Sequence, residues 1–163
     1  MYILKYKTPV GEATLASDGT NLTGLWLAGQ KYYGATLKNA EETRDVLPIF
    51  KATQDWLMRY FAGENPPISQ LPLAPMGSDF RQSIWQILCK IPYGEVVTYG
   101  DIAKMINCKS AQAVGGAVGH NPISIIIPCH RVIGANGSLT GYAGGVTVKQ
   151  QLLTLEGYRG DLR

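Results

Sequence analysis

The sequence predicts an α+β protein of two α/β domains, a small antiparallel sheet with one helix over residues 1–72 and a mainly helical second domain over residues 73–163. Three observations lead to this division. The first 27 residues alternate and carry a tight-turn pair, and residues 47–61 keep helical spacing. Asn65-Pro66-Pro67 then breaks the chain ahead of a series of short, capped helices.

Met1–Lys7 alternates as a half-buried strand does, and Ala13–Ser17 joins Asn21–Leu27 through Asp18-Gly19, a pair suited to a hairpin turn. Period-two spacing places Trp26 on the face opposite Leu25 and Leu27. A polar stretch from Lys38 to Asp45 leads into a helix over Leu47–Phe61. There Ile49, Thr53, Trp56, Leu57, Tyr60 and Phe61 keep helical spacing, and Gly63 sits past the end. Leu71–Pro75 reads as a connector. Nothing in this half suggests chemistry, and structural support is its expected role. In the second half Ser78 can cap a helix with Phe80, Ile84, Trp85, Ile87, Leu88 and Ile91 on its apolar face, stopped by Pro92-Tyr93-Gly94. Thr98-Tyr99-Gly100-Asp101 has the form of a capping box, with Asp for the usual Glu, and opens a short helix through Ile106. Asn107-Cys108-Lys109 makes a turn, and Ser110 caps a second short helix from Ala111 to about Gly119. Two short helices joined by a three-residue turn form a helix-turn-helix candidate.

Composition narrows the function classes. The chain is 45% hydrophobic and 17% charged, an ordinary globular balance. No apolar run approaches the roughly 18–20 residues that cross a bilayer, and the N-terminus lacks the apolar centre of a signal peptide. No membrane partner is expected, and the expected location is the cytoplasm, or a nucleus where the source has one. Cys89, Cys108 and Cys129 are odd in number and widely spaced, which fits free thiols in a reducing compartment. His120 and His130 are the only histidines, so no zinc cluster of the usual spacings can be assembled. Residues 1–72 hold seven Lys/Arg and seven Asp/Glu, whereas residues 73–163 hold eight and five. The whole net charge of +3 therefore lies in the second half, where a polyanion would be met.

The segment Ala111–Gly119 carries almost no long polar side chains, whereas a helix reading base edges needs several. Its adjacent Gly115 and Gly116 each cost a helix roughly 1 kcal/mol against alanine. They make sense where another backbone comes close. Either a neighbouring helix packs tightly there, or the smooth face slides into a minor groove and ignores sequence. After Asn121-Pro122, Ile123–Ile127 reads as a buried strand ending in Pro128-Cys129-His130-Arg131-Val132. A free thiol is only a few per cent ionised at neutral pH, so a nucleophilic cysteine needs a base, and that base needs an orienting partner. Neighbouring side chains on a strand point apart, so a bridging water between Cys129 and His130 is expected rather than a direct bond.

Pro128-Cys129-His130-Arg131-Val132 resembles the active-site motif of the O6-alkylguanine-DNA alkyltransferases. Val97-Thr98-Tyr99-Gly100-Asp101-Ile102-Ala103 resembles the first helix of that family's DNA-binding module. Ala113-Val114-Gly115-Gly116-Ala117 followed by Asn121-Pro122 resembles its recognition helix and hinge. Gly141-Tyr142-Ala143-Gly144-Gly145 and Leu152-Leu153-Thr154-Leu155-Glu156-Gly157 resemble its substrate loop and closing helix, and all five blocks appear in order across residues 79–158. The resemblance implies a ribonuclease-H-like N-terminal domain and a winged helix-turn-helix-like module. It implies irreversible, stoichiometric transfer of the alkyl group of O6-alkylguanine, with O4-alkylthymine as an alternative lesion, to Cys129. His130 would activate Cys129 through water, Glu156 would orient His130, Asn121 would hold the hinge, and Tyr99 would hydrogen-bond the departing guanine. Gln112, Ala113, Gly115, Gly116, Val118, Lys109 and Arg131 would serve DNA and substrate binding, Arg131 by bracing the module. Tyr142 and Ala143 would line the pocket for a flipped nucleotide. Double-stranded DNA met through its minor groove is the implied partner, a monomer the implied state, and no cofactor or metal is implied.

One position departs from the family pattern: Gln112 stands where an arginine is usual. Some members carry a structural zinc in the first domain, which the lack of Cys and His before residue 73 argues against here. Two other readings compete. A damage sensor of the same fold would lack the cysteine, and a cysteine hydrolase would leave the helix-turn-helix and the glycine-rich helix unexplained.

Overall fold

The computed structural model describes residues 1–43, 46–139, 142 and 145–160. β1 (Tyr2–Thr8), β2 (Gly11–Ser17) and β3 (Leu22–Leu27) form an antiparallel meander, and β4 (Glu41–Glu42) adds parallel to β1, giving the order β3-β2-β1-β4. The Asp18 carboxylate closes the β2–β3 turn by accepting the backbone N–H of Thr20 at 3.0 Å and of Asn21 at 2.8 Å. β3 is buried at every position, and on the Trp26 face Tyr33 from the following loop lies at a ring separation of 6.3 Å. The two faces expected from alternation are therefore both interior. α1 (Pro48–Phe61) starts with Pro48 in its first turn and buries Ile49, Phe50, Thr53, Trp56, Leu57 and Tyr60.

The second half holds α2 (Asp79–Leu88), β5 (Val97–Thr98), α3 (Tyr99–Met105), α4 (Ala111–Gly119), β6 (Val132–Ile133) and α5 (Val146–Leu155). The caps form as the sequence predicts. Ser78 accepts from Arg81 N, Thr98 and Asp101 bond reciprocally in a capping box, and Ser110 accepts from Ala113 N. Each such cap contributes about 1 kcal/mol. Phe80 departs from the expected apolar face of α2 and is 40% exposed, so Ile84, Trp85 and Leu88 carry the burial. Trp85 Nε1 donates to the Ala117 carbonyl at 2.9 Å and anchors α4 on α2. No described helix is long and apolar enough to cross a membrane.

The two halves share one apolar core, which runs from Leu15, Leu25 and Leu57 to Ile84, Val114, Ile127 and Leu152. The backbone joins them as well. Leu25 N donates to Pro122 O at 2.8 Å, and Ser124 N donates to Leu25 O at 2.9 Å.

Residues 123–127 correct the expectation of a buried strand. Only Ile123 bridges β3, through Leu25, and the chain then turns with Ile125 at φ +72°. The segment is apolar enough for a strand, but Asn121 folds it back. Asn121 Nδ2 donates to the carbonyls of Ile123 at 3.3 Å and Ile127 at 2.8 Å, and its Oδ1 accepts from Ile123 N at 3.0 Å. One buried amide thus satisfies backbone groups that a sheet would otherwise have paired.

Candidate active site

Cys129 opens a 3-10 turn, Cys129–Arg131, instead of ending a strand. Successive side chains in such a turn diverge by about 120° rather than pointing to opposite faces. Pro128 precedes the turn, and Cys129 N bonds the Ile127 carbonyl at 2.8 Å. The thiol is 3% exposed. Burial pushes its pKa up, while a hydrogen bond from the Asn121 side chain and the charge of Lys149 pull the other way. The resting group is therefore a thiol, and its proton has to be taken by a base.

His130 is fully buried, and its Nε2 lies 2.6 Å from Glu156 Oε2. Burial lowers its pKa against the pull of Glu156, so the ring is neutral near pH 7. With Nε2–H donated to Glu156, Nδ1 is the basic nitrogen, and that buried atom hydrogen-bonds no described residue. Glu156 sits at the C-cap of α5 and accepts five donors. Oε1 takes Arg131 Nε at 2.8 Å and Gly94 N at 3.0 Å. Oε2 takes His130 Nε2 at 2.6 Å, the Tyr60 hydroxyl at 2.6 Å and an Arg131 terminal nitrogen at 3.2 Å. Burial opposes its charge, but the hydrogen bonds from His130 and Arg131 and the charge of Arg131 outweigh it and hold the carboxyl well below its usual range.

A cation and two phenols complete the surroundings. Lys149 of α5 is fully buried, donates to the Val132 carbonyl, and lies 5.9 Å from the ring centres of both Tyr99 and Tyr142. Burial brings its pKa down to about 8, opposed by the Cys129 charge. Tyr99 is brought beside the cysteine turn by the parallel β5–β6 pair, Val97 with Val132 and Thr98 with Ile133. Burial and the Cys129 charge push Tyr99 up to about 12, so it stays a proton donor. Tyr142 is buried, and its hydroxyl bonds no described residue. Ala143, expected beside it, lies outside the described residues.

On α4, Gln112, Ala113 and Gly116 form an exposed face, continued by exposed Lys109 in the preceding turn. A Cβ added at Gly116 would meet nothing within 4 Å, and one at Gly115 would touch only the Tyr99 ring at 3.9 Å. The two glycines therefore do not serve helix packing, one of the two readings their sequence allowed. One expected binding residue is elsewhere. Val118 is 2% exposed and faces the core, because positions 114, 117 and 118 form the inward stripe of α4. Arg131, expected to brace the module, is 6% exposed and turned onto Glu156, with another nitrogen on the Ile91 carbonyl at 2.7 Å. Sequence reasoning missed Tyr60, Gly94 and Lys149. Tyr60 reads as a core aromatic and Gly94 as part of a helix stop, Lys149 draws no reading, and no spacing links any of them to Cys129. Among the described residues no group of three His, Cys, Asp or Glu could hold a metal ion.

Known proteins match this architecture along most of the chain. Residues 1–75 match the family described as 6-O-methylguanine DNA methyltransferase, ribonuclease-like domain, and residues 79–158 match its DNA binding domain. A methylated-DNA--protein-cysteine methyltransferase of Haemophilus influenzae is 45% identical over 96% of this chain and 86% of its own length. One from Methanosarcina acetivorans is 45% identical over 96% of this chain and 99% of its own. The crystal structure of Mycobacterium tuberculosis OGT in complex with DNA is 43% identical and superposes with a TM-score of 0.85, covering 96% of this chain and 92% of that one. With a buried cysteine, histidine and glutamate on the C-terminal half and a sheet packed behind them, the chain belongs to the 6-O-methylguanine DNA methyltransferase family.

Proposed function

We propose that the protein repairs DNA by moving the alkyl group of O6-alkylguanine irreversibly onto Cys129 Sγ, one equivalent per molecule. The observation that carries this reading is the His130–Glu156 pair, which commits Nε2 and leaves Nδ1 uncommitted on the residue that follows a buried cysteine. His130 Nδ1 takes the thiol proton through a water molecule. The sulfur then attacks the alkyl carbon, the S–C bond forms as the C–O6 bond breaks, and the electron pair leaves with guanine. Tyr99 hydrogen-bonds the departing guanine and passes it the hydroxyl proton, so that guanine leaves as a neutral base, and the proton held by His130 returns to Tyr99 through water; Lys149 offsets the thiolate charge while it lasts. A thioether has no leaving group as good as the guanine, so the step does not reverse.

A base inside a duplex cannot reach a thiol that is 3% exposed, so the lesion is flipped out of the stack first, with Tyr142 beside its pocket. The smooth face of Gln112, Ala113 and Gly116 fits a minor groove, read by backbone contact and width rather than by base edges. Lys109 adds attraction for phosphate. The protein is taken to act as a cytoplasmic monomer.

The decisive experiment is intact mass with peptide mapping after incubation with a duplex carrying one O6-methylguanine. The expected result is a single methyl gained per protein, on Cys129, and none in Cys129→Ala. Many demethylated products per molecule would favour a hydrolase instead. Failure to bind the duplex would overturn the repair reading.

A further inference from the structure

The N-terminal half reaches the relay through the Tyr60 hydroxyl. Tyr60 of α1 is 1% exposed, and its hydroxyl lies 2.6 Å from the same Glu156 oxygen that holds His130. The ring is fixed before the hydroxyl is considered. It stacks on Trp56 at 5.6 Å and 8°, and meets Phe61 edge-on at 5.2 Å and Tyr93 at 6.2 Å. A phenylalanine would fill that space as well, so packing does not explain the oxygen. Facing a carboxylate, a buried phenol can only donate, and burial with the Glu156 charge pushes its pKa far above the usual tyrosine value.

We propose that Tyr60 is a positioning residue of the alkyl-transfer relay, its hydroxyl fixing the Glu156 carboxylate and limiting how strongly Oε2 holds the proton of His130. A carboxylate oxygen that already accepts a short hydrogen bond is less basic toward a second donor. The imidazole is thereby kept neutral and available at Nδ1 instead of being drawn into a tight imidazolium–carboxylate pair. Other charged groups around the pair act in the same sense or stay constant. Arg131 from the cysteine turn and Lys149 from α5 disfavour a protonated His130, and Tyr93, after α2, stays a neutral phenol. The Cys129 thiol faces Lys149 and is neutral at rest. The N-terminal half is on this view part of the chemistry. The proposal rests on the relay of Cys129, His130 and Glu156 put forward above.

The test is single-turnover methyl transfer by the full chain from about pH 5 to pH 9, with the His130 ring titration followed by NMR. In Tyr60→Phe, Oε2 loses a donor and holds the imidazolium more tightly. The acid limb of the rate profile and the His130 titration should both move to higher pH. Transfer should be about two- to tenfold slower below the limb, the reach of one hydrogen bond, and close to unchanged above it. Placing 3-fluorotyrosine at position 60, a stronger donor of nearly the same shape, should move both to lower pH. Opposite displacements are not produced by loosened packing. Profiles that overlay the parent for both replacements, or an equal loss at every pH, would overturn the role of Tyr60. Glu156→Gln separates the two levels. If it collapses the profile while both position-60 replacements overlay the parent, only the Tyr60 proposal fails. If Glu156→Gln keeps the parent profile, the relay itself is wrong and the role of Tyr60 falls with it.

Discussion

Lys149 is a buried ammonium whose contacts are a carbonyl and two tyrosine rings, with the Cys129 sulfur as the nearby anion in prospect. Replacing it by an apolar residue of similar length removes a desolvated charge, so Lys149→Met should melt no lower than the parent. It should also leave the Cys129 thiol higher, because the charge that pulls it down is gone. The expected outcome is slower methyl transfer at neutral pH that recovers as the pH rises. An unchanged pH profile would show that the charge does not reach the sulfur. A lysine in a helix is almost always read as solvated, so no reading of residue 149 alone could have found this. Cys129 and His130 were legible because adjacent residues form a motif. Glu156, 26 positions from His130, was legible only through the resemblance of several blocks taken together.

At the scale of the element, α4 combines an inward stripe of Val114, Ala117 and Val118 with an outward face that is nearly featureless. Gly116→Ala meets no steric obstacle and should stabilise the fold by about 0.5–1 kcal/mol. On the proposed docking face the added methyl group should nevertheless weaken duplex binding. Gln112→Arg should do the reverse, raising duplex affinity and repair rate by adding charge. Paired melting curves and duplex titrations check both, and an unchanged affinity in the two variants would remove α4 from the DNA interface. The caps of α2, α3 and α4 were legible because each is decided by a few neighbouring side chains. The turn at Ile125 was not, because the apolar run reads as a strand and a β-branched residue rarely takes positive φ; what holds it is the buried amide of Asn121, four residues before, whose bonding no pattern announces.

Across the molecule, composition suggests two units divided near residue 72, whereas the packed core and the Leu25–Ser124 bonds run over that boundary. Calorimetry should therefore give one cooperative transition, and two resolved transitions would count against a shared core. Its pH dependence follows from the relay. His130 and Glu156 both have folded pKa values below their ordinary ones of 6.5 and 4.5. On acidification the unfolded chain therefore takes up these protons first, and stability falls as pH drops. The loss should begin below about pH 6.5 with His130 and deepen below about pH 4.5 with Glu156. Glu156→Gln should lower the melting temperature at neutral pH and flatten the deeper step. A melting temperature constant from pH 7 to pH 4 would contradict this. The β2–β3 hairpin and the short helices could be read ahead from period, turn pair and caps, but the parallel addition of β4 could not, and the contact between Tyr60 and Glu156 spans 96 positions and has no local signature.

The blankness of the α4 face carries a further consequence for how damage is located. On the proposed docking role, a surface whose one long polar side chain is Gln112 would meet most undamaged steps of a duplex with similar energy, leaving phosphate attraction to hold the protein near the strand. Lateral movement then encounters few traps, and time is not wasted on particular sequences. Discrimination is deferred to whether a nucleotide will swing out and present a carbon to the sulfur. Search speed is gained by reading nothing on the way.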